Sequence, residues 1–248
     1  MKHPFLVALG VGVAVIVAAF VPAVWHMAGG PQSVPPSAPQ QQAGLPWQVQ
    51  LHDDGSSRVM GLHLGVDTLA QARARAGESW QLAIVARAGE LGALEALSEP
   101  FSAGFVTGRL VMAFEVPAES LRRWREGSPG SAAMEGGVRR LQLSAEHQAE
   151  AAGVPLSGLS FVPVARLSRE DVRQRFGAPA QERTLADGAT WLAYPALGLT
   201  ATVAEGRRGV LQYVAPRDAP RLMEAPAPPG TQAPGASAPE TGSRPAGG

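Results

Sequence analysis

The sequence contains no cysteine. That removes thiol nucleophiles, disulfide frameworks, Cys-based zinc or iron–sulfur sites and a lipid-modified N-terminal Cys. Lysine is nearly absent: Lys2 is the only one, and every other cation is Arg. A P-loop, a Ser-x-x-Lys hydrolase and a Schiff-base enzyme each need a Lys amine in the site, so the folded part can host none of them. No His-Glu-x-x-His, Gly-x-Ser-x-Gly or Gly-x-Gly-x-x-Gly run occurs there either. Charged residues are scarce at 17%, and 21 Lys+Arg balance 21 Asp+Glu over 248 residues. A chain without net charge has no field to hold nucleic acid. No cofactor, metal or catalytic residue is expected, and the reading is of a non-enzyme.

What is present first is one long apolar run. Residues 5–25, FLVALGVGVAVIVAAFVPAVW, carry no charge. Twenty-one residues rising 1.5 Å each span roughly 30 Å, the hydrocarbon thickness of a bilayer. A cleavable signal peptide has a shorter core and a small-residue cleavage site. This run ends instead in Trp25-His26-Met27, which fits an uncleaved signal anchor with Trp25 at the interface. Lys2 precedes the span, and the next formal charge is Asp53. The positive-inside rule therefore puts residues 1–4 in the cytoplasm and the bulk outside, the periplasm of a bacterium. Gly10, Ala14 and Ala18 recur every four residues, a spacing that lets two such helices approach and self-associate.

Residues 26–46 read as a linker. Twelve of the eighteen residues from 29 to 46 are Pro, Gln or Gly, which cannot build a core and favours polyproline II. At about 3.1 Å per residue that stretch reaches roughly 55 Å. Residues 223–248, rich in Pro, Ala and Gly, read as a disordered tail.

The folded part lies between. The expected class is α+β, with two small modules of short helices on antiparallel sheets at 47–116 and 161–222, joined by a helical connection at 117–160. Thr68–Gly77 and Ser168–Gly177 look alike at an offset of 100. In each, Thr68 or Ser168 can cap a helix, Gln71 or Asp171 completes a capping box, and Gly77 or Gly177 can end it in the left-handed region. Further helices are expected at 118–126 and 144–152. Strands are expected at 81–87, 109–116, 190–194, 199–203 and 210–214 from alternation such as Leu110, Met112, Phe114 and Val116 opposite Arg109 and Glu115. Asp54-Gly55 predicts a hairpin between 47–52 and 58–63.

The order Phe161, Leu167-Ser168-Arg169-Glu170-Asp171-Val172, Phe176-Gly177-Ala178-Pro179, Trp191-Leu192-Ala193-Tyr194, Gly198-Leu199, Gly206-Arg207 and Val210-Leu211 resembles the SmpA/OmlA domain. That domain occurs in the small lipoprotein of the outer-membrane β-barrel assembly machinery and in β-lactamase-inhibitor-like proteins. The resemblance covers about 161–214. It implies two helices on a three-stranded antiparallel sheet, acting as a binding or scaffolding module of the cell envelope. The chain departs from the family in lacking the lipobox Cys, and no partner-contacting residue carries over.

Three groups of side chains are candidates for chemistry. His52-Asp53-Asp54 sets an imidazole beside carboxylates, with His63 the nearest further ligand. In a hairpin turning at 54–55, however, His63 should lie several residues along from His52. These residues read as a solvated turn; the alternative is a hydrolase using His52 and Asp53. His147 reads as a surface pair with Glu150 at helical spacing. Arg169, Arg173 and Arg175, the basic side of the second capped helix, are the candidate contacts for an anionic partner. Trp47, Trp80, Trp124 and Trp191 read as core. The protein is thus expected to be a single-pass inner-membrane protein with an envelope protein as partner and a role in envelope assembly or secretion. The alternatives are a periplasmic hydrolase or a spacer between membrane and wall.

Overall fold

The computed structural model describes residues 44–77 and 79–223. The expected span at 5–25 with Gly10, Ala14 and Ala18, most of the linker, and the tail beyond Met223 lie outside the described residues. Among the described residues, no helix is long and apolar enough to cross a membrane.

The fold is α+β, with antiparallel sheets and few helices. It opens with a three-stranded meander, β1 (Gln50–Leu51), β2 (Ser57–Val59) and β3 (Leu62–Leu64). The Asp54-Gly55 turn forms as expected, with Gly55 donating to the His52 carbonyl at 3.0 Å. The second strand does not run on to residue 63. Val59 pairs with Leu62, so Met60-Gly61 is a two-residue loop, and both residues have positive φ (53° and 79°). A turn of that kind normally takes Asn or Gly first. Met60 accepts the strain because its side chain is fully buried in the core.

The other ten strands make one antiparallel sheet. They are β4 (Trp80–Arg87), β5 (Ala93–Ala103), β6 (Val106–Phe114), β7 (Ser131–Ala133), β8 (Val138–Leu141), β9 (Leu156–Pro163), β10 (Gln181–Thr184), β11 (Thr190–Tyr194), β12 (Leu199–Val203) and β13 (Val210–Val214). Their order in space is β10-β11-β12-β13-β9-β6-β5-β4-β8-β7. The two expected modules therefore share a single sheet, joined where β9 pairs with β6 on one side and β13 on the other. β9 is buried at every position, the pattern of a central strand. It straddles the expected boundary at 160/161 between the helical connection and the second module.

Among the described residues four α-helices form: α1 (Leu69–Ala76), α2 (Ala118–Glu126), α3 (Ala145–Ala151) and α4 (Arg169–Phe176). Both capping boxes are made, Thr68 with Gln71 and Ser168 with Asp171. Gly77 and Gly177 end their helices at φ 79° and 83°, both with ψ −162°. That is not the left-handed helical region expected but the extended region at positive φ, which glycine alone occupies freely.

One core holds everything together. The inward side chains of the sheet, among them Ile84, Leu94, Leu110, Met112, Phe114, Phe161, Leu199 and Tyr213, pack against Leu69 and Ala72 of α1, Leu121 and Trp124 of α2, Ala151 of α3, Val172 of α4 and the meander's Val59, Met60, Leu62 and Leu64. Alternation sends the other side chains of the strands to the opposite face. There a small cluster forms from Val85, Val111 and Val138, with Leu97 and Met134 beside it.

Candidate functional site

The meander carries the densest polar cluster, and its second turn decides the geometry. Folding back at Met60-Gly61 sets Arg58 opposite His63 and brings the His63 ring to 4.5 Å from that of His52. The two imidazoles are therefore neighbours, which corrects the separation expected from a single hairpin. Ser56, fully buried, sits between: its Oγ lies 2.6 Å from Asp54 Oδ1 and 2.8 Å from His63 Nε2. Arg58 Nη2 is 3.3 Å from His63 Nδ1. The Asp67 carboxylate takes the His63 backbone N–H at 2.7 Å.

Proton placement follows from these contacts. Arg58 can only donate, so His63 Nδ1 accepts and Nε2 carries the proton. Nε2–H then donates to Ser56, whose own proton goes to Asp54. Ser56 also gives its backbone N–H to Asp54 at 2.9 Å. The Ser56 bonds hold the Asp54 carboxyl below the usual range, with smaller help from Arg217 and His52. Desolvation, then Arg58 and His52, push the His63 imidazole down, so it is neutral at neutral pH. A nucleophilic Ser needs an imidazole that accepts its proton. Here the imidazole is the donor and the hydroxyl is sealed, so the cluster acts as a brace for two turns. Asp54, not Asp53, belongs to it. Among the described residues, no three His, Asp or Glu side chains converge on a metal position.

The brace extends to the far end of the chain. Arg217 donates from Nη2 to the Gly65 carbonyl at 3.0 Å, and its backbone N–H reaches the Gly55 carbonyl at 3.1 Å. Its Nη1 lies 3.8 Å from Asp54 Oδ2.

Arg169 and Arg173 of α4, one turn apart, share a side of the helix, while Arg175 lies away from them. Arg169 Nε and Arg173 Nη1 both meet the Glu182 carboxylate of β10, at 2.6 and 3.3 Å. Arg175 lies 3.5 Å from Asp171 and sits over the Trp47 ring at 4.4 Å. Glu182 thus faces two guanidinium groups at once. All three arginines remain about a third or more exposed.

His147 corrects another expectation. Its ring stands 6.2 Å from Trp124, and its Nδ1 is buried without a hydrogen-bond partner among the described residues. Glu150 instead pairs with Arg123 and accepts from Trp124 Nε1 at 2.8 Å. Trp124 and Trp191 are fully buried; Trp47 and Trp80 are partly buried, against Phe105 and Phe114.

One ionisable residue escaped the sequence reading altogether. Glu95 of β5 is 3% exposed, and neither carboxylate oxygen has a hydrogen-bond partner among the described residues. Burial pushes its carboxyl well above the usual range. It lies on the sheet face away from the main core, between Ala83 of β4 and Ala113 of β6. The signal was a lone acid inside the apolar run Ala93-Leu94-Glu95-Ala96-Leu97.

No protein-family model, curated protein or solved structure matches this chain.

Proposed function

We propose that the protein is a single-pass inner-membrane protein whose α+β domain stands on the periplasmic side and holds a partner protein there, without catalysis, during envelope assembly or secretion. The observation that carries this reading is the uncharged run at 5–25, with Lys2 before it and no further charge until Asp53. The polar clusters of the domain add support, because their hydrogen bonds are spent on one another rather than aimed at a reacting atom. The similarity of 161–214 to SmpA/OmlA domains belongs to the same reading, since those domains bind or scaffold in the envelope. Arg169 and Arg173 are the proposed contacts for an acidic segment of the partner, because two cations against one Glu182 leave positive charge to spare.

Alkaline phosphatase fused after Met223 tests the placement, since that enzyme folds only outside the cytoplasm. Activity at normal expression is expected; an inactive fusion would refute the orientation. Crosslinking in intact cells tests the role. Arg169→Ala with Arg173→Ala should lose the main crosslinked band while the melting temperature stays put, and an unchanged band would remove these arginines from the interface.

A further inference from the structure

Two of the large exposed hydrophobic side chains lie at the same end of the sheet. Phe105 stands at the tip of the β5–β6 hairpin and is 70% exposed. Val164, just past β9, is 56% exposed and donates its N–H to the Thr107 carbonyl at 2.9 Å. The Trp47 indole stands edge-on to Phe105 with centroids 6.1 Å apart. Arginines ring this patch. Arg175 lies over Trp47 at 4.4 Å, and Arg166 is exposed two residues beyond Val164. Arg75 reaches the same strand end, 5.0 Å from the Phe101 ring, with its Nη2 3.4 Å from the Ser102 carbonyl. The acid beside these cations is Asp171, 3.5 Å from Arg175.

We propose that this end of the domain, with Phe105, Val164 and Trp47 at its centre and Arg166 and Arg175 around them, rests on the surface of an anionic lipid bilayer. The proposal builds on the anchored reading above and names a second contact with the membrane. Aromatic rings with a cationic rim suit the headgroup layer, where rings enter the interface and guanidinium groups meet phosphates. Position points the same way. The described chain begins at Gly44, next to Trp47, and only residues 26–43 separate it from the uncharged run. A linker that short keeps the patch at high local concentration beside any bilayer holding that run. A hairpin tip with a bare Phe is also costly to leave in water.

The absence of native cysteine makes the test direct. The full chain is reconstituted in vesicles of 70% phosphatidylcholine and 30% phosphatidylglycerol carrying acyl-chain nitroxide quenchers. A bimane is placed on Val164→Cys or, as a control at the opposite end of β5, on Ala88→Cys. The Val164 label should be quenched at least threefold more than the control. Phe105→Ser should bring it down to the control, and Arg166→Gln with Arg175→Gln, or vesicles of phosphatidylcholine alone, should at least halve the difference. None of these exposed substitutions should move the melting temperature. A Val164 label quenched no more than Ala88 overturns the proposal, and equal quenching with and without phosphatidylglycerol overturns its anionic character. An alkaline carbonate wash separates the two readings. Protein that stays on the vesicles with an unquenched Val164 label keeps the anchor and loses the surface contact; protein washed off loses the anchor.

Discussion

The two halves of the sheet are built in the same order and filled differently. In each, a capped helix is followed by strands stepping inward to β9: α1 then β4-β5-β6, and α4 then β10-β11-β12-β13, the second half carrying one short strand more. In each, a hydroxyl from the sheet closes the end of the helix. Ser98 Oγ donates to the Ala76 carbonyl at 2.9 Å, and Tyr194 Oη donates to the Gly177 carbonyl at 3.2 Å. The bulk, however, changes sides. In the first half the helix ends in a buried Ala76 and the sheet supplies Phe101, 2% exposed and edge-on to Phe161 at 6.3 Å. In the second half the helix supplies Phe176, stacked at 5.7 Å on Tyr194. The arginines differ as well: Arg75 is drawn inward over Phe101, where burial pushes its pKa down, while Arg173 and Arg175 stay outside on carboxylates. One helix–sheet frame thus takes its aromatic from the sheet alone in the first half and from both layers in the second.

The sharpest way to break that comparison is to truncate both aromatics. Phe101→Ala should cost about 4 kcal/mol and Phe176→Ala, only partly buried, about 2 kcal/mol in denaturant unfolding. Equal losses would mean that the halves do not differ in where their bulk lies. Adding bulk is the converse. Ala76→Phe, which imitates the second half within the first, should destabilise by about 2 kcal/mol because Phe101 already fills that space; a neutral result would show that the first half has room.

The middle strands sharpen the contrast on the opposite face. Leu94-Glu95-Ala96 of β5 corresponds to Leu199-Thr200-Ala201 of β12. Thr200 Oγ1 has a partner, Gln212 Oε1 at 3.4 Å, whereas Glu95 has none among the described residues. Glu95→Gln removes the one group on this face that must hold a proton in the folded state, so its effect should appear in how stability depends on pH. The sign of the pH effect is fixed. Unfolded, Glu95 loses its proton above about pH 4.3, but the folded state retains it to higher pH. Stability should fall as pH rises between those two values, and the Gln variant should lack this slope. An unchanged slope in Glu95→Gln would assign it to another group.

His63 supplies the smallest expected effect, of opposite sign. Its folded pKa lies below the unfolded one, so stability falls as pH drops through about 6.5. His63→Gln should flatten that shallow acid limb in pH-dependent melting. If the limb persists, the His52–His63 contact does not govern it.

Much of this frame could be read from residues alone. The caps at Thr68 and Ser168 are local chemistry, and the alternation in β6, β12 and β13 needs only one buried face, so β12 and β13 have their expected bounds while β6 begins and ends a few residues early. β5 stayed hidden because Pro100 interrupts it. The strand survives by shifting register between Ser98 and Phe101, an accommodation that only its neighbour β6 makes visible. β3 was misjudged because Met60 takes a positive φ for the sake of core burial. The merging of two modules into one sheet depends on β9 having free edges on both sides, which no local pattern encodes. The Ser56–His63 brace follows from that misjudged turn, and Glu95 is polar only by position. Residue type named the ingredients of the polar clusters; the third strand of the meander decided which of them touch.

The bonds that tie the beginning of the domain to its end also set its timetable. Tyr213 Oη donates to the Pro46 carbonyl at 2.8 Å across 167 positions, and Arg217 reaches Asp54 and Gly65 across 163 and 152. Among the described elements the meander comes first, yet its brace is closed by Arg217, 163 residues after Asp54. A chain emerging N-terminus first must hold that meander unfinished until Arg217 appears, and such distant closures make folding slow. Native topology should therefore arrive only after release of the whole domain, and a chain stopped after Val214 would keep its strands while its opening turns remain exposed to proteases.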